Sequence, residues 1–504
     1  MFSEDTITAP ATTPGTGAVS IVRISGPDAF AVADRVVRLR RGDISSSEGY
    51  RLHFGTVSGR DGALLDEVIV SVFRAPHSYT GEDSVEISCH ASAYIVSEML
   101  SLLCDAGARL AEAGEFTMRA YMNGKMDLSQ AESVADLIAS SDRASHRVAI
   151  RQMRGGYSEK LEEIRSQLAQ MSALLELELD FSEEDVEFAD RTTLLRLVDE
   201  AVSHIGSLAD SFRDGNAIKN GVPVAIVGNA NSGKSMLLNA LLGEDRAIVS
   251  DIAGTTRDTI EEVFTIDGIR FRLIDTAGLR ETDEVIEKIG IERTLRKLAE
   301  ADVVLAVVDV SAPREEILAS LEKVSDNIDF TSQRVFAVVN KCDLVREKSS
   351  VDGFPGQGRD NTVKDVDSGH SGGEIFDCIS ANKNVSAINK FVSSINKEIL
   401  IYYISAKSGF GLDALKKAIA DSQKDRLEST SDAILVTNVR HLNALTQAKA
   451  SLIDVRSGLL DGTPSDLVAQ DLRHAVSSIG SILGRAITTD ETLGIIFKKF
   501  CIGK

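Results

Sequence analysis

The segment from Gly228 to Ser235 constrains the fold of this chain more than any other, because it reads Gly-Asn-Ala-Asn-Ser-Gly-Lys-Ser. The preceding run, 222–227, is apolar and rich in β-branched residues, which is typical of a buried strand, and the following run, 236–242, has the pattern of a helix. A phosphate-binding P-loop occurs in this strand–loop–helix context. Its glycines let successive backbone N–H groups converge on phosphate oxygens. We therefore predict that Lys234 contacts the β- and γ-phosphates of a nucleotide and that Ser235 binds Mg²⁺.

Four further motifs follow the P-loop in the order that a GTPase requires. They are Gly-Thr-Thr-Arg-Asp at 254–258, Asp-Thr-Ala-Gly at 275–278, Asn-Lys-Cys-Asp at 340–343 and Ser-Ala-Lys at 405–407. A threonine of the first can complete the Mg²⁺ shell, and the aspartate of the second can act on Mg²⁺ through water. The carboxylate of Asp343 can accept two N–H bonds from the edge of guanine, whereas adenine presents no matching pair of donors. The motifs therefore predict GTP and not ATP.

The position after the Asp-Thr-Ala-Gly motif departs from GTPases of the Ras type. Those proteins carry a glutamine there, which orients the attacking water, but Leu279 occupies the position in this chain. No arginine is obviously placed in the sequence as a finger, a residue worth roughly 10³–10⁵ in rate. Asp283, Glu284 and Glu287 follow in the same segment and are candidates for orienting water, with ordinary solvation as their alternative role.

The composition excludes several classes of protein. The chain has 504 residues, which predicts three or four domains, and its 43% hydrophobic content fits a folded soluble protein. It contains no apolar run of about 18 residues and no basic start followed by an apolar core, so neither a membrane span nor a signal peptide is expected. Five cysteines without a Cys-x-x-Cys pair indicate a reducing cytoplasm and no zinc site. A net charge of −21 repels nucleic acid, so RNA would have to bind local basic patches.

The predicted fold class is α/β plus α: an N-terminal α/β domain, and a helical domain that is interrupted by an inserted P-loop GTPase domain. Apolar runs separated by helical patterns predict a parallel-rich, doubly wound sheet in the GTPase domain. The late helices are expected to pack against the earlier helical segment. The predicted segments are 1–122 (N-terminal domain), 123–219 (first helical segment), 220–425 (GTPase domain, with an insertion at about 346–399 that is expected to be a surface excursion) and 426–504 (second helical segment).

Hydrophobic periodicity predicts the individual elements. Strands are expected at 18–24, 68–73, 271–274, 303–308, 335–339 and 401–404, and a helix at 92–106. Residues that recur at helical spacing are expected to form core stripes; they are Leu161, Ile164, Leu168, Met171 and Leu175 in the first helical segment and Leu442, Leu445, Ala448, Leu467, Leu472, Ile479 and Leu483 in the second.

Three polar features have competing interpretations. Four arginines at 143, 147, 151 and 154 share one helical face and could hold RNA phosphates, although such a face is more often solvated or salt-bridged. The run 79–83 is explained by turn chemistry between two strands. A Gly-Thr-Gly run at 15–17 suggests a dinucleotide fingerprint, which we reject because Ser20 replaces the third glycine and a strand follows instead of a helix.

Taken together, the motifs resemble those of the tRNA modification GTPase family MnmE, also called TrmE. The resemblance covers nearly the whole chain outside the insertion. It rests on Gly-Ala-Val-Ser-Ile-Val-Arg-Ile-Ser-Gly at 17–26, Tyr-Thr-Gly-Glu at 79–82, Asn-Gly-Lys-Met-Asp-Leu at 123–128, Asp-Thr-Ala-Gly-Leu-Arg-Glu at 275–281 and Cys-Ile-Gly-Lys at 501–504. Ala230 stands where the P-loop of the family usually has proline, which reduces the stiffness of the loop without removing a ligand.

The resemblance implies a homodimer that works with a flavin- and NADH-dependent partner, MnmG, on tRNA. The complex would add an aminomethyl-type group, such as carboxymethylaminomethyl, at C5 of the wobble uridine. The N-terminal domain would bind a formyl-tetrahydrofolate-type cofactor through Arg23, Glu82, Lys125 and Lys504, and a K⁺ ion would take the place of an arginine finger. Catalytic roles would fall to Glu287, which would orient water, to Lys234 and to Cys501.

The resemblance and the motifs together imply the ligands of the nucleotide and of the metals. Mg²⁺ would be held by Ser235 and Thr256, and K⁺ by Asn231, Ser250, Ile252 and Thr255. GTP would contact Asn231, Ser232, Gly233, Lys234, Ser235, Ser250, Asp251, Ile252, Ala253, Gly254, Thr255, Thr256, Asp275, Thr276, Ala277, Gly278, Asn340, Lys341, Asp343, Ser405, Ala406 and Lys407.

Two other functions compete with GTP-driven tRNA modification. One is an RNA-binding ribosome-assembly GTPase, but the sequence has no second GTPase domain and no RNA-binding module appended after the first. The other is a folate-dependent one-carbon enzyme that GTP regulates. Tight folate binding without tRNA chemistry would favour that enzyme.

Overall fold

The computed structural model describes residues 5–180, 191–243, 262–274, 298–344, 383–395, 399–429, 433–485, 490–498, 500 and 503. They form two compact units. The first contains Met1–Ser140, His146–Asp210 and Asn438–Lys504, and the second contains Ser141–Ser145 and Ser211–Thr437. The second unit thus interrupts the first along the chain, and the predicted fold class is confirmed.

The N-terminal region of the first unit is a seven-stranded sheet with strand order β3-β4-β5-β6-β2-β1-β7. The two helices α1 and α2 pack on one face of the sheet, where valines of alternating positions in β5 face Met99 and Leu103. The strands predicted at 18–24 and 68–73 and the helix predicted at 92–106 are present. The elements are β1 (Ile7–Pro10), β2 (Val19–Ser25), α1 (Ala29–Val36), β3 (Val37–Leu39), β4 (Arg51–Ser58), β5 (Leu64–Phe73), β6 (Ser84–His90), α2 (Ala93–Asp105), β7 (Arg109–Leu110) and α3 (Glu115–Met122).

The remainder of the first unit is helical. In α6 the five residues of the predicted core stripe are all buried, because a period of three and four places them on one side of the helix. As expected, late helices pack against early ones: α14 against α6 and α13 against α7. One member of the second stripe, Leu467, is 49% exposed, and Val468 fills the core position instead. The helices are α4 (Leu128–Ala139), α5 (Arg143–Met153), α6 (Gly156–Asp180), α7 (Arg191–Asp210), α13 (Val439–Asp461), α14 (Ser465–Leu483) and α15 (Asp490–Phe497).

The second unit is built on a six-stranded sheet with strand order β13-β12-β11-β8-β10-β9. All neighbouring strands are parallel except β9 and β10. Apolar clusters cover both faces, which explains the continuous apolar runs in the strands. The elements are α8 (Phe212–Asn220), β8 (Val222–Val227), α9 (Lys234–Leu242), β9 (Val263–Ile266), β10 (Ile269–Leu273), β11 (Val303–Asp309), α10 (Arg314–Ser325), β12 (Arg334–Asn340), α11 (Lys383–Ile395), β13 (Leu400–Tyr403) and α12 (Leu412–Ser429).

Two elements of this unit differ from the sequence prediction. Strand β9 is not among the predicted strands, although the Asp267-Gly268 pair that joins it to β10 is a recognisable hairpin turn, with φ of 50° and 78°. Helix α11 lies inside the predicted insertion at 346–399, yet Val385, Ile388 and Val392 are buried in the core of the unit. The predicted surface loop therefore does not include α11. The helical spacing of its apolar residues is hard to recognise in the sequence because a long polar run precedes it.

No helix within the described ranges is long and apolar enough to cross a membrane.

Candidate functional site

The P-loop connects the end of β8 to the start of α9 in the second unit. Gly228 has a φ of 151° and Gly233 a φ of 94°, both in the region that disfavours side chains. A Cβ at Gly228 would overlap the carbonyl oxygen of Val307, and a Cβ at Gly233 would overlap Nδ2 of Asn340. The two glycines are therefore required both by the backbone angles of the loop and by its close packing on β11 and β12.

Lys234 begins α9 and turns its side chain back toward the loop. Its Nζ donates hydrogen bonds to the carbonyl oxygens of Gly228 at 2.8 Å and Asn229 at 2.7 Å. Burial lowers the pKa of Lys234 from its ordinary value. The loop thus gathers a positive charge and a helix N-terminus at one point, the combination that favours phosphate binding.

Asn340 joins the P-loop to two of the other motifs. Its Nδ2 donates to the carbonyl oxygen of Ser232 at 3.0 Å, and its Oδ1 accepts from the backbone N–H of Ala406 at 3.0 Å. The residue is 2% exposed, so these bonds are shielded from water. The P-loop, the Asn-Lys-Cys-Asp motif and the Ser-Ala-Lys motif are consequently held together as one site.

The proposed guanine-reading carboxylate is oriented from the neighbouring loop. Ser405 Oγ donates to Asp343 Oδ1 at 2.7 Å and accepts from the backbone N–H of Ser408 at 3.3 Å. Between Asn340 and Asp343, the side chain of Cys342 points into the core, and burial raises its pKa to about 12. Cys342 therefore serves packing, while Lys341 and Asp343 on either side of it are partly exposed.

A second group of predicted site residues lies in the N-terminal domain. Arg23 in β2 donates from Nε and Nη2 to Glu86 Oε1 at 2.9 and 2.8 Å, and its guanidinium lies 5.4 Å from the ring centroid of Tyr79 and 5.6 Å from that of Phe116. Tyr79 donates to or accepts from Thr117 at 2.8 Å, and burial raises its pKa. The result is a cationic group placed between aromatic rings.

The 79–83 turn places Glu82 next to this group. Glu82 Oε2 accepts from Ser25 Oγ at 2.7 Å, and both of its oxygens lie 3.3–3.4 Å from Nη1 of Arg119. Lys125 Nζ donates to the carbonyl oxygen of Pro76 at 2.9 Å, and a Cβ at Gly81 would lie 3.3 Å from the Lys125 side chain. The turn, for which the local sequence gives only a structural explanation, therefore also holds Glu82 against Arg119 and lies against the Lys125 side chain.

Two family models match the chain and together cover most of it. The model described as "GTP-binding protein TrmE N-terminus" matches residues 6–125, and the model described as "MnmE helical domain" matches residues 128–501. This chain belongs to the MnmE family.

Whole-length relatives agree with the family models. The three relatives that follow are each named tRNA modification GTPase MnmE. The one from Parabacteroides distasonis is 44% identical over 503 residues, which covers 99% of this chain and 100% of the relative. The one from Bacteroides thetaiotaomicron is 45% identical over 506 residues, with 100% of each chain covered. The one from Porphyromonas gingivalis is 45% identical over 507 residues, which covers 100% of this chain and 99% of the relative. The MnmE resemblance predicted from the motifs is confirmed.

Some of the predicted MnmE site residues lie outside the described residues. Of the expected metal ligands, Asn231 and Ser235 are described, and Asn231 has a φ of 62°. The predicted site residues outside the described ranges are Ser250, Asp251, Ile252, Ala253, Gly254, Thr255, Thr256, Asp275, Thr276, Ala277, Gly278, Glu287, Cys501 and Lys504.

The structure adds residues that were not among the predicted site residues. Tyr79 and Phe116 flank Arg23, and Arg119 contacts Glu82. Tyr79 belongs to one of the MnmE motifs, but its sequence context favours an ordinary turn. Phe116 and Arg119 lie in α3 at a spacing of three, so their shared face is visible in the sequence, but nothing local connects that face to Arg23.

Proposed function

We propose that this chain is the GTP-hydrolysing component of a system that modifies C5 of the wobble uridine in tRNA. Its membership of the MnmE family supports a GTPase that acts in tRNA modification. The observation that carries the proposal is that the chain is similar to tRNA modification GTPases over its full length. In addition, Asn340 connects the P-loop to the Ser-Ala-Lys motif by hydrogen bonds. A protein that modifies tRNA would act in the cytoplasm.

We propose that the site binds GTP together with Mg²⁺. The P-loop N–H groups and Lys234 would neutralise phosphate charge, and Ser235 would ligate Mg²⁺ together with Thr256. Asp343, oriented by Ser405, would accept the two N–H groups of guanine. Mg²⁺ supplies charge that stabilises the leaving phosphate oxygens when bound.

Hydrolysis without a glutamine or an arginine finger calls for another source of positive charge. We propose that K⁺ supplies it, held by Asn231, Ser250, Ile252 and Thr255, and that Glu287 orients the water. The conformation of Asn231 supports this role. Its backbone is left-handed, which few residues other than glycine and asparagine adopt, and its amide side chain is exposed in the phosphate loop, where its oxygen could bind a cation.

GTP hydrolysis by this chain is therefore expected to be faster in K⁺ than in Na⁺. The K⁺ ion would supply the positive charge that an arginine finger supplies elsewhere, and the smaller Na⁺ would fit the same ligands poorly. The test is kcat at saturating GTP in equal concentrations of KCl and NaCl, with Asn231→Ala as a variant that should lose the difference. Equal rates in the two salts for the unaltered chain would contradict the K⁺ proposal.

We also propose that the N-terminal group of residues binds a formyl-tetrahydrofolate-type cofactor. The residues present fit such a molecule: Tyr79 can stack on a heteroaromatic ring, Glu82 can accept its N–H groups, and Arg23 and Lys125 can pair with its carboxylates. The folate supplies a one-carbon unit when bound. The residues of this chain would orient it and exclude water.

The carboxyl terminus offers a reason why Cys501 would act in the modification. Gly503 is buried, and a Cβ on it would overlap the carbonyl oxygen of Pro10 at the end of β1. Strand β1 pairs with β2, with Ala9 opposite Arg23. Gly503 is thus packed against β1, which is the strand next to Arg23 of the proposed folate site. We propose that Cys501, together with Lys504, serves that site.

The family resemblance also supports a homodimer that works with the flavin-dependent partner MnmG. Helices α1 and α2 cover one face of the N-terminal sheet, and Leu52, Phe54 and Ile69 lie on the other face, exposed by 71, 46 and 49%. Phe54 is opposite Ile69 in the register of β4 and β5, and Leu52 is two residues from Phe54, so the three form one apolar patch. We propose that a second copy of the chain covers this patch.

Replacing Phe54 with glutamate is expected to convert the dimer to a monomer, because a charge would be buried without a partner in the interface. The measurement is the mass of the particle by light scattering over a range of protein concentrations. Tyr94→Glu is the matched control, since Tyr94 is 69% exposed on the helix-covered side of the same domain. If the Phe54→Glu variant remains dimeric, the patch of Leu52, Phe54 and Ile69 is not the dimer contact.

A further inference from the structure

Asp309 is a charged residue beside the guanine site that belongs to none of the five nucleotide motifs. It ends β11, and its register partner in β12 is Asn340. The backbone N–H of Val310 donates to the carbonyl oxygen of Asn340 at 3.1 Å. The chain leaving β11 therefore runs alongside the Asn-Lys-Cys-Asp motif.

Both carboxylate oxygens of Asp309 accept hydrogen bonds. Oδ2 accepts from Lys341 Nζ at 2.7 Å, and Oδ1 accepts from the backbone N–H and the hydroxyl of Ser311 at 2.8 and 2.7 Å. Burial acts to raise the pKa of Asp309, but the hydrogen bonds from Lys341 and Ser311 outweigh it, so the pKa lies below its ordinary value. The ionised Asp309 carboxylate is therefore fixed through Oδ1 by Ser311 and holds the Lys341 ammonium group through Oδ2.

The neighbouring backbone adds to this arrangement. Lys341 has a φ of 64°, which is uncommon for a residue with a side chain and sets the direction in which its side chain leaves the motif. Asn384 of α11 donates from Nδ2 to the carbonyl oxygens of Val310 and Ala312 at 2.9 and 3.0 Å. The loop after Asp309 is thus fastened to α11.

We propose that Asp309 is a positioning residue for guanine nucleotide, which acts by holding Lys341 at the base-binding side of the site. Ser311 fixes the carboxylate, and Asn384 fixes the loop that carries it. The inference rests on the GTP site proposed above and extends it. The alternative is that the Asp309–Lys341 ion pair has no role in nucleotide binding. It would then contribute only to the stability of the fold, and only weakly, as most partly exposed ion pairs do.

A double-mutant cycle separates these two roles. GDP affinity is measured with a fluorescent GDP on the full chain and on the variants Asp309→Ala, Lys341→Met and the two combined. Asp309→Ala is expected to weaken GDP binding about tenfold, the effect of losing one charge-assisted hydrogen bond. The KM for GTP is expected to rise with it while kcat at saturating GTP stays the same. In the Lys341→Met background, Asp309→Ala is expected to have no further effect.

Asp329 provides a matched control, because its Oδ1 likewise accepts from the backbone N–H and hydroxyl of the residue two positions on, Thr331. Asp329→Ala is expected to leave GDP affinity unchanged. The proposal is overturned if Asp309→Ala weakens binding equally in both Lys341 backgrounds, or if it leaves affinity unchanged. If Asp309→Ala lowers the unfolding temperature, the same cycle with Asp309→Asn decides between the two roles. An unaltered chain that does not bind GDP would contradict the GTP site itself.

Discussion

Replacing Asp343 with asparagine is expected to change the base that the site selects. The carboxylate offers two acceptor positions to the two N–H donors of guanine, and Ser405 fixes its orientation through a 2.7 Å bond. An asparagine keeps one acceptor and presents an N–H₂ group to a donor. Losing one charge-assisted hydrogen bond and making the other neutral costs about 2.5–4.5 kcal/mol, so GTP affinity should fall roughly 10²–10³-fold. Xanthine carries a carbonyl in place of the amino group and should bind better than guanine.

The measurement is the Kd for GDP and for xanthosine diphosphate, together with hydrolysis of the two triphosphates. Asp425→Asn is the control, because Asp425 is an exposed carboxylate on α12 of the same unit. Unchanged preference for guanine in Asp343→Asn would show that another group reads the base.

Replacing Glu132 with alanine is expected to destabilise the helical region of the first unit by about 3–5 kcal/mol, because it removes the negative charge of a buried cluster and leaves Arg440 without its carboxylate. Glu132 Oε2 accepts from Arg440 at 2.9 Å and lies 2.6 Å from His441 Nε2, and Tyr157 stacks on His441. Arg440 also donates to the carbonyl oxygen of Ser481 near the end of α14 at 2.7 Å. The cluster therefore joins α4 to α13 and α14.

The pH dependence follows from the pKa of Glu132. Burial alone would raise it, but the bonds from His441 and Arg440 outweigh burial and lower the pKa from 4.5 to about 2. A carboxyl whose pKa is lower in the folded chain stabilises the fold fully above its ordinary pKa, and this stabilisation is lost as pH falls from about 5 toward about 2. Glu132→Ala should remove that component of the acid sensitivity.

The loss of stability can be measured locally by hydrogen exchange of peptides from α4 and α13. A global unfolding curve would instead average over the two units of the chain. The control is Glu163→Ala, since Glu163 pairs with Lys160 close to the surface, and its loss should leave the exchange unchanged. Equal protection in Glu132→Ala and the unaltered chain between pH 5 and 8 would show that the cluster does not hold these helices together.

Much of this fold could be predicted from local pattern. The buried strands of the GTPase sheet are continuous apolar runs, and the stripe from Leu161 to Leu175 in α6 has helical spacing, so both are visible in any short window of sequence. The P-loop is equally local, because its glycines and lysine are neighbours. Helix α11 was not predicted because its buried apolar residues follow a long polar segment. The polar composition of residues 346–399 as a whole is typical of a surface loop.

The contacts that assemble the GTP site and the helical region are less local. Asn340 reaches Ser232 across 108 positions of sequence, and Arg440 reaches Glu132 across 308. No periodicity connects residues so far apart; only the parallel order of the strands and the packing of α13 on early helices bring them together. Asp309 could have been noticed as a charge at a strand end, but its partner Lys341 follows from the register of β11 and β12.

The central claim is that this chain works in the modification of tRNA, and the most direct test is nucleoside mass spectrometry of total tRNA from cells with and without it. The account predicts that a C5-substituted wobble uridine disappears when the chain is absent, returns with the unaltered gene and does not return with Lys234→Ala. Unchanged tRNA nucleosides would contradict the account and favour a ribosome-assembly GTPase, for which ribosome profiles would be the next measurement.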